Sequence, residues 1–391
     1  MAGLRTLPLG VLALVVFLLL ATLGGMVALW PDDSGGIELD ESLRAPTYDA
    51  EVVGLTPTRC QSPEATGCVR VRAELKGGPE EGKTTEFAAG ESTSDPEFAK
   101  GDRVRLARNE IPEGSPPGLD PYTFSDYDRR GPMLWLLLGF AAVVVLFGRL
   151  RGLLSLVGLG LSVAVIASFI VPAILDGKSP LGVAIVGSMA VMFATMALAH
   201  GIGPKSVAAA LGTTAALLLT AGLAILFTEV ANITGFSSEE ATLLQGVAGE
   251  LSLEGLVLAG IVIAALGVLD DLTISQASSV MALRRSNPAH GVRELYKGAI
   301  AIGRDHVAAT VNTLVLAYVG ASLPVLLVFS VGGIPFADAI NREAVSQQVI
   351  GTLVGSIGLI AAVPLTTGIA ATLAARGGID VSADDGHHHA H

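Results

Sequence analysis

Eight runs of apolar residues, most of them long enough to cross a bilayer, constrain this chain more than any other feature. A helical span needs roughly 20 residues at about 1.5 Å rise each. The runs cover Leu7–Trp30, Met133–Gly148, Leu153–Leu175, Leu181–Ala199, Val207–Phe227, Leu256–Leu269, Ala308–Val331 and Val349–Ala375. The second and sixth are short, so their helices are expected to extend into polar flanks. Composition agrees, since 51% of the 391 residues are hydrophobic and 15% charged, outside the usual soluble range. The expected fold class is an α-helical polytopic membrane protein of about eight transmembrane helices, with a small extracytoplasmic β-barrel-like domain of the OB or SH3 type.

Positive charge in short loops sets the expected orientation. From a cytoplasmic N-terminus marked by Arg5, alternate loops hold Arg149 and Arg151, then Lys205, then Arg284, Arg285, Arg293, Lys297 and Arg304. Arg376 follows the last span, so the C-terminus is also expected in the cytoplasm. The opposite loops carry little positive charge apart from Lys178 and Arg342. Arg129 and Arg130 break the rule just before the second span, where Asp126 and Asp128 can neutralise them locally. The first run also has a signal-peptide alternative. It is longer than a normal apolar signal region and no A-x-A site follows, which favours an anchor but leaves cleavage open.

These features divide the chain into an N-terminal transmembrane helix (1–31), an extracytoplasmic β domain (46–112), a juxtamembrane linker (113–131), a seven-helix membrane domain (132–376) and a disordered cytoplasmic tail (377–391). In the β domain, short alternating segments such as Val69-Arg70-Val71-Arg72 read as strands, and glycines at 77, 78, 90 and 101 read as turns. So small a domain buries a limited core, and the two cysteines, Cys60 and Cys68, are a disulfide candidate there. Two reduced surface thiols are the plainer alternative. The aromatic stretch Tyr122, Phe124 and Tyr127 is expected in the interfacial belt before the second span. The net charge of -12, largely from this domain, its flanks and the tail, disfavours nucleic acid as a partner.

Charged and amide groups at membrane depth are costly and ask for a role. One cluster closes the sixth span: Asp270, Asp271, Thr273, Ser275 and Gln276. A second opens the seventh: Arg304, Asp305, His306, Asn312 and Thr313. Spacings of three or four residues place these groups on polar strips, and two facing strips make a candidate transport path. Arg304 is expected to reach back towards an aspartate. The blander reading puts the aspartates at headgroup level and leaves the cations to set topology. Secondary candidates are His200, beside a tight Gly/Pro turn, and Pro364 with Thr366 and Thr367, where hydroxyls adjoin a proline. Ser237–Val247, with a capping box from Ser237 to Glu240, and Ala337–Val349 look like amphipathic interfacial segments. Gly351 and Gly355 have helix-packing G-x-x-x-G spacing.

The C-terminal histidines His387, His388, His389 and His391 can bind metal, but their tag-like composition at a terminus argues against a functional site. No metal site or cofactor is expected: H-E-x-x-H, a phosphate-binding Walker loop and a G-x-S-x-G elbow are all absent from the sequence.

The segments at 267–280, GVLDDLTISQASSV, and at 303–324, GRDHVAATVNTLVLAYVGASLP, resemble the YibE/F family of bacterial multipass membrane proteins. The resemblance extends from the region of Tyr48 through Arg149–Gly152 and Ile170–Pro172 to Pro364–Thr367. It implies a polytopic protein of the bacterial plasma (inner) membrane preceded by a small β domain, and carries over no substrate or functional residue.

The functional expectation is a transporter or permease for a small solute or ion, with proton or cation coupling through Asp270 or Asp305. Its alternative is a membrane scaffold or sensor whose β domain recognises a protein or envelope component. A membrane-embedded enzyme ranks third, for want of a nucleophile and base. Expected partners are the lipid bilayer and that solute, with homo-oligomerisation left open.

Overall fold

A computed structural model describes residues 7–32, 46–60, 68–90, 96–109, 120–237, 239–247 and 251–376. The C-terminal histidines lie outside them. The chain forms two compact units, Glu38–Leu146 and a second one made of Met1–Ile37 with Phe147–His391.

The first unit is built on a five-stranded antiparallel sheet: β1 (Thr47–Pro57), β2 (Val69–Leu75), β3 (Thr84–Ala89), β4 (Arg103–Arg108) and β5 (Tyr122–Tyr127), in the order β3-β2-β1-β4-β5. Alternation in β2 sends Val71, Ala73 and Leu75 inward against Val52, Phe87, Val104 and Leu106. The sheet curls, so rings from its two edge strands meet: Phe87 of β3 stacks on Phe124 of β5, centroids 6.3 Å apart.

β5 corrects the expected linker at 113–131. Tyr122–Tyr127 is a strand paired along β4, with Tyr122 only 1% exposed. An aromatic run before a span can equally be the inward-facing side of a strand, and here the partner β4 decides the matter. The sheet therefore continues past the expected boundary at 112. The Tyr122 hydroxyl donates to Glu80 (2.9 Å) and the Tyr127 hydroxyl to the Glu97 carbonyl (2.6 Å). Cys60 and Cys68 are joined in a disulfide next to β2. Arg129 and Arg130 are neutralised locally: Arg129 pairs with Asp126 (2.7 Å), and Arg130 with Asp128 (2.7 Å) and Asp49 (2.5 Å).

The helices are α1 (Leu9–Ala28), α2 (Arg130–Val165), α3 (Val171–Leu175), α4 (Pro180–Thr195), α5 (Pro204–Val230), α6 (Glu239–Val247), α7 (Leu253–Ser286), α8 (Val292–Ala321), α9 (Leu323–Val331), α10 (Phe336–Asn341) and α11 (Glu343–Arg376). A π-helical turn at Ile166–Ile170 joins α2 to α3, and another at Met196–His200 ends α4. Among the described residues, six helical stretches are long and apolar enough to cross a membrane, or seven if the bent pair α8–α9 is one span. The expected second and third runs are two helices that meet at a kink at Arg149 (φ 51, ψ -132), within the apolar stretch Arg130–Leu175.

In the helical unit α5, α7 and α11 pack on one another, α8 lies on α7 and α11, and α4 lies between α1 and α7. Small residues set the closeness of α5 and α11. A β-carbon on Gly212 would overlap the Thr366 side chain, and one on Gly358 the Thr220 hydroxyl. α8 begins at Val292, so Arg304 to Asn312 lie inside a helix and not at its start. Pro324 opens α9 after a 56° bend. The amphipathic segment at 337–349 is not one helix, because extended backbone at Arg342 separates α10 from α11. Ser237 donates to Gln347 (2.7 Å) across to α11, tying the start of the α6 segment to the bundle.

Candidate functional site

α7 carries polar residues at 270, 273 and 276. Each three-residue step turns about 60° short of a full circle, so the strip winds around the helix and meets a different neighbour at each turn. At the first, the Thr195 hydroxyl of α4 lies 3.2 Å from Asp270 Oδ2. The same hydroxyl is 2.9 Å from the Val191 carbonyl and 3.1 Å from that of Met192. One proton cannot serve three acceptors, so Thr195 can exchange its partner without moving far. Asp270 Oδ1 is buried with no hydrogen-bond partner, and no ion pair reaches the carboxylate among the described residues.

One turn on, the Thr273 and Thr213 hydroxyls, each fully buried, are 2.6 Å apart across α7 and α5. Next, Gln276 Nε2 donates to the Ala299 carbonyl of α8 and to Thr367 Oγ1 of α11, both at 2.8 Å. Gly303 makes room for this amide, since a β-carbon there would lie 2.8 Å from Gln276 Oε1. Thr366, beside Thr367, is fully buried, and its hydroxyl has no partner among the described residues.

The strip thus brings together Asp270, Thr273, Gln276 and Thr367, while Thr366 faces Gly212 of α5. It excludes the rest. Asp271 is exposed, and Ser275 is half-buried with its carbonyl accepting from Ser279. His200 is exposed at the end of its π-turn. Pro364 lies within α11 with its side chain exposed.

The expected second strip is a correction. Arg304, Asp305, His306, Asn312 and Thr313 are all exposed on α8. The face of α8 that packs on the bundle carries Leu295, Ala299 and Gly303 instead. Arg304 makes no ion pair with an aspartate among the described residues, and the two polar strips do not face each other. Helical spacing says which residues share a strip but not which way the strip faces.

Sequence reasoning passed over Thr195 and Thr213. Each is a lone hydroxyl in an apolar run, the usual mark of a side chain bonded to its own helix. Their only signal is position, one on each helix flanking α7.

A cavity of about 360 Å³ opens at the other end of α7, lined by Ser237, Glu240, Gly260, Tyr318, Gln347 and Gln348 among others. It narrows between α7, α8 and α11 into a space of about 10 Å³ bounded by Val268, Leu269, Leu314, Gly355 and Leu359. That is room for about one water. Val268 and Asp270 are about 200° apart around α7, so the cavity's narrow end and the carboxylate lie on different sides of one helix at a similar level.

The family model for YibE/F-like proteins matches residues 136–376, most of the helical part. The chain belongs to the YibE/F-like family. The match begins later than the resemblance read from the sequence, and leaves the β-sheet outside it. No curated protein and no solved structure matches the chain. Within the YibE/F-like region fall the whole α7 strip, the terminal cavity and the exposed strip on α8. Family membership with several long apolar helices makes this a multi-pass membrane protein.

Proposed function

We propose that this YibE/F-like protein is a permease for a proton or small cation, with Asp270 as the carrier group. The observation that supports this most is a carboxylate set between α4 and α7 with one oxygen buried and, among the described residues, neither a hydrogen-bond partner for that oxygen nor a counter-cation. An isolated negative charge at such a place is expensive, and it is relieved by a proton or a small cation. Thr195, with its choice of acceptors, stabilises the carboxylate when charged and turns to its own helix when Asp270 is neutral. In this reading the large cavity is the vestibule on the extracytoplasmic side, and the transport cycle shifts α7 against α11 to bring the carboxylate and the vestibule into contact. The glycines at 260, 351 and 355 leave the slack for it. The β domain stands outside the membrane, and both termini lie in the cytoplasm.

The test is flux into proteoliposomes, read with an internal pH dye and, separately, with Na⁺ and K⁺ indicators. Wild-type protein should move at least one of these ions. Asp270→Asn should fall to the level of empty liposomes while keeping the wild-type thermal unfolding profile, and Thr195→Val should slow transport. Undiminished flux in Asp270→Asn would remove the carboxylate from the mechanism.

A further inference from the structure

The outward face of α8 is a poor surface to offer to lipid. Ala301, Asp305, Ala308, Ala309, Asn312 and Leu316 share it at helical spacing, all exposed, with Arg304 at its edge. Gly303 packs against Gln276 and Gly298 against Leu283, so α8 runs antiparallel to α7. Asn312, roughly two and a half turns beyond Gly303, is therefore level with the apolar part of α7 just before Asp270. Its amide has no partner among the described residues, and neither do the side chains of Arg304 and Asp305. An unpaired amide at this depth is costly if hydrocarbon covers it, and Arg304 and Asp305, about two turns nearer the start of α8, are costly wherever the membrane covers them as well.

We infer that this face is covered by the same face of a second copy, pairing α8 with α8 about a two-fold axis along the membrane normal. Two features select a copy of this chain over another occupant. The charges are self-complementary: Arg304 at the edge of one helix meets Asp305 on its mate, and the two-fold repeats the pair. The amide of Asn312 both donates and accepts, so it satisfies itself across the axis. The alanines at 301, 308 and 309 let the two backbones approach closely enough for these contacts. The dimer does not depend on the permease reading and holds for a scaffold equally well.

Cysteine cross-linking in native membranes tests it. Cys60 and Cys68 are already bonded to each other, so a single added thiol reports alone. Under mild oxidation, Asn312→Cys and Ala309→Cys should give a disulfide-linked band at twice the chain mass, whereas Leu226→Cys, exposed on α5, should not. In detergent, Arg304→Asp and Asp305→Arg should each lose the dimer in light scattering, and the double swap should regain it. A monomer at the wild-type sequence, equal cross-linking at Leu226, or a double swap no better than its parents would overturn the inference. A cross-linked band of any mass other than twice the chain would overturn it as well.

Discussion

At the scale of single residues, Gln276 shows how a buried polar side chain serves as a fastener. Its amide holds the Ala299 carbonyl and the Thr367 hydroxyl together, so three helices meet at one group. Replacing it by leucine removes both bonds and leaves the Thr367 hydroxyl without its donor. Interhelical hydrogen bonds within membranes are worth about 1 kcal/mol each. Gln276→Leu should therefore lower the thermal midpoint in detergent measurably, while Asp271→Asn, exposed on the same helix, should leave it unchanged. Asp270 and Thr273 stood out in the sequence as polar groups three residues apart in an apolar stretch, with Gln276 as a further polar residue beside them. Asp305 and Asn312 were equally conspicuous, but a repeat reports only that residues share a face. Whether the face turns inward depends on what α7 and α11 offer, and Gly303 fits the Gln276 amide on the opposite side.

Among the elements, α5 and α11 come close together because glycine on each helix faces a threonine on the other. Gly212 lies under Thr366, and Gly358 under Thr220. The sequence shows these residues only as part of a general abundance of small side chains, and nothing in it assigns partners. Overpacking of this kind typically costs about 1–3 kcal/mol. Gly212→Val should lower stability by about that amount, since the added methyl groups meet the Thr366 backbone as well as its side chain. Gly212→Val with Thr366→Ala should recover part of the loss, measured as thermal unfolding of the purified protein. Gly260→Ala serves as the control, since a β-carbon there meets nothing within 4 Å. The apolar runs themselves were legible almost throughout. The break between the second and third runs was legible too, since Arg149 and Arg151 signal it by charge and the helix is kinked in two at Arg149. Tyr122–Tyr127 was hidden, because aromatic side chains suit both a membrane interface and a sheet interior.

Across the whole molecule, polar chemistry is divided between the two units. The helical bundle is fastened largely by hydroxyl and amide bonds, which do not titrate in the ordinary range. The β unit is laced with ion pairs. Arg105 and Arg130 both hold Asp49, Arg130 also holds Asp128, and Arg70 holds Asp120 at 3.0 Å. Hydrogen bonds from Arg130 keep Asp128 down at about 2, against an ordinary 3.8, and lower Asp49 as well. Both are carboxylates with depressed values in the folded state, so what they contribute is complete above the ordinary value. It fades as the pH falls from about 4 towards 2. Arg130 is largely exposed, so solvent limits the size of the effect. In hydrogen exchange followed by mass spectrometry, acidification through that window should loosen peptides from β1 and β4 of the intact protein before those from α5, α7 and α11. Asp128→Asn should make β1 and β4 less protected at neutral pH and flatten their response to acid, because it removes a group whose proton uptake drives the change. Loosening of both units together, or of the bundle first, would mean that these ion pairs do not govern how the β unit yields to acid.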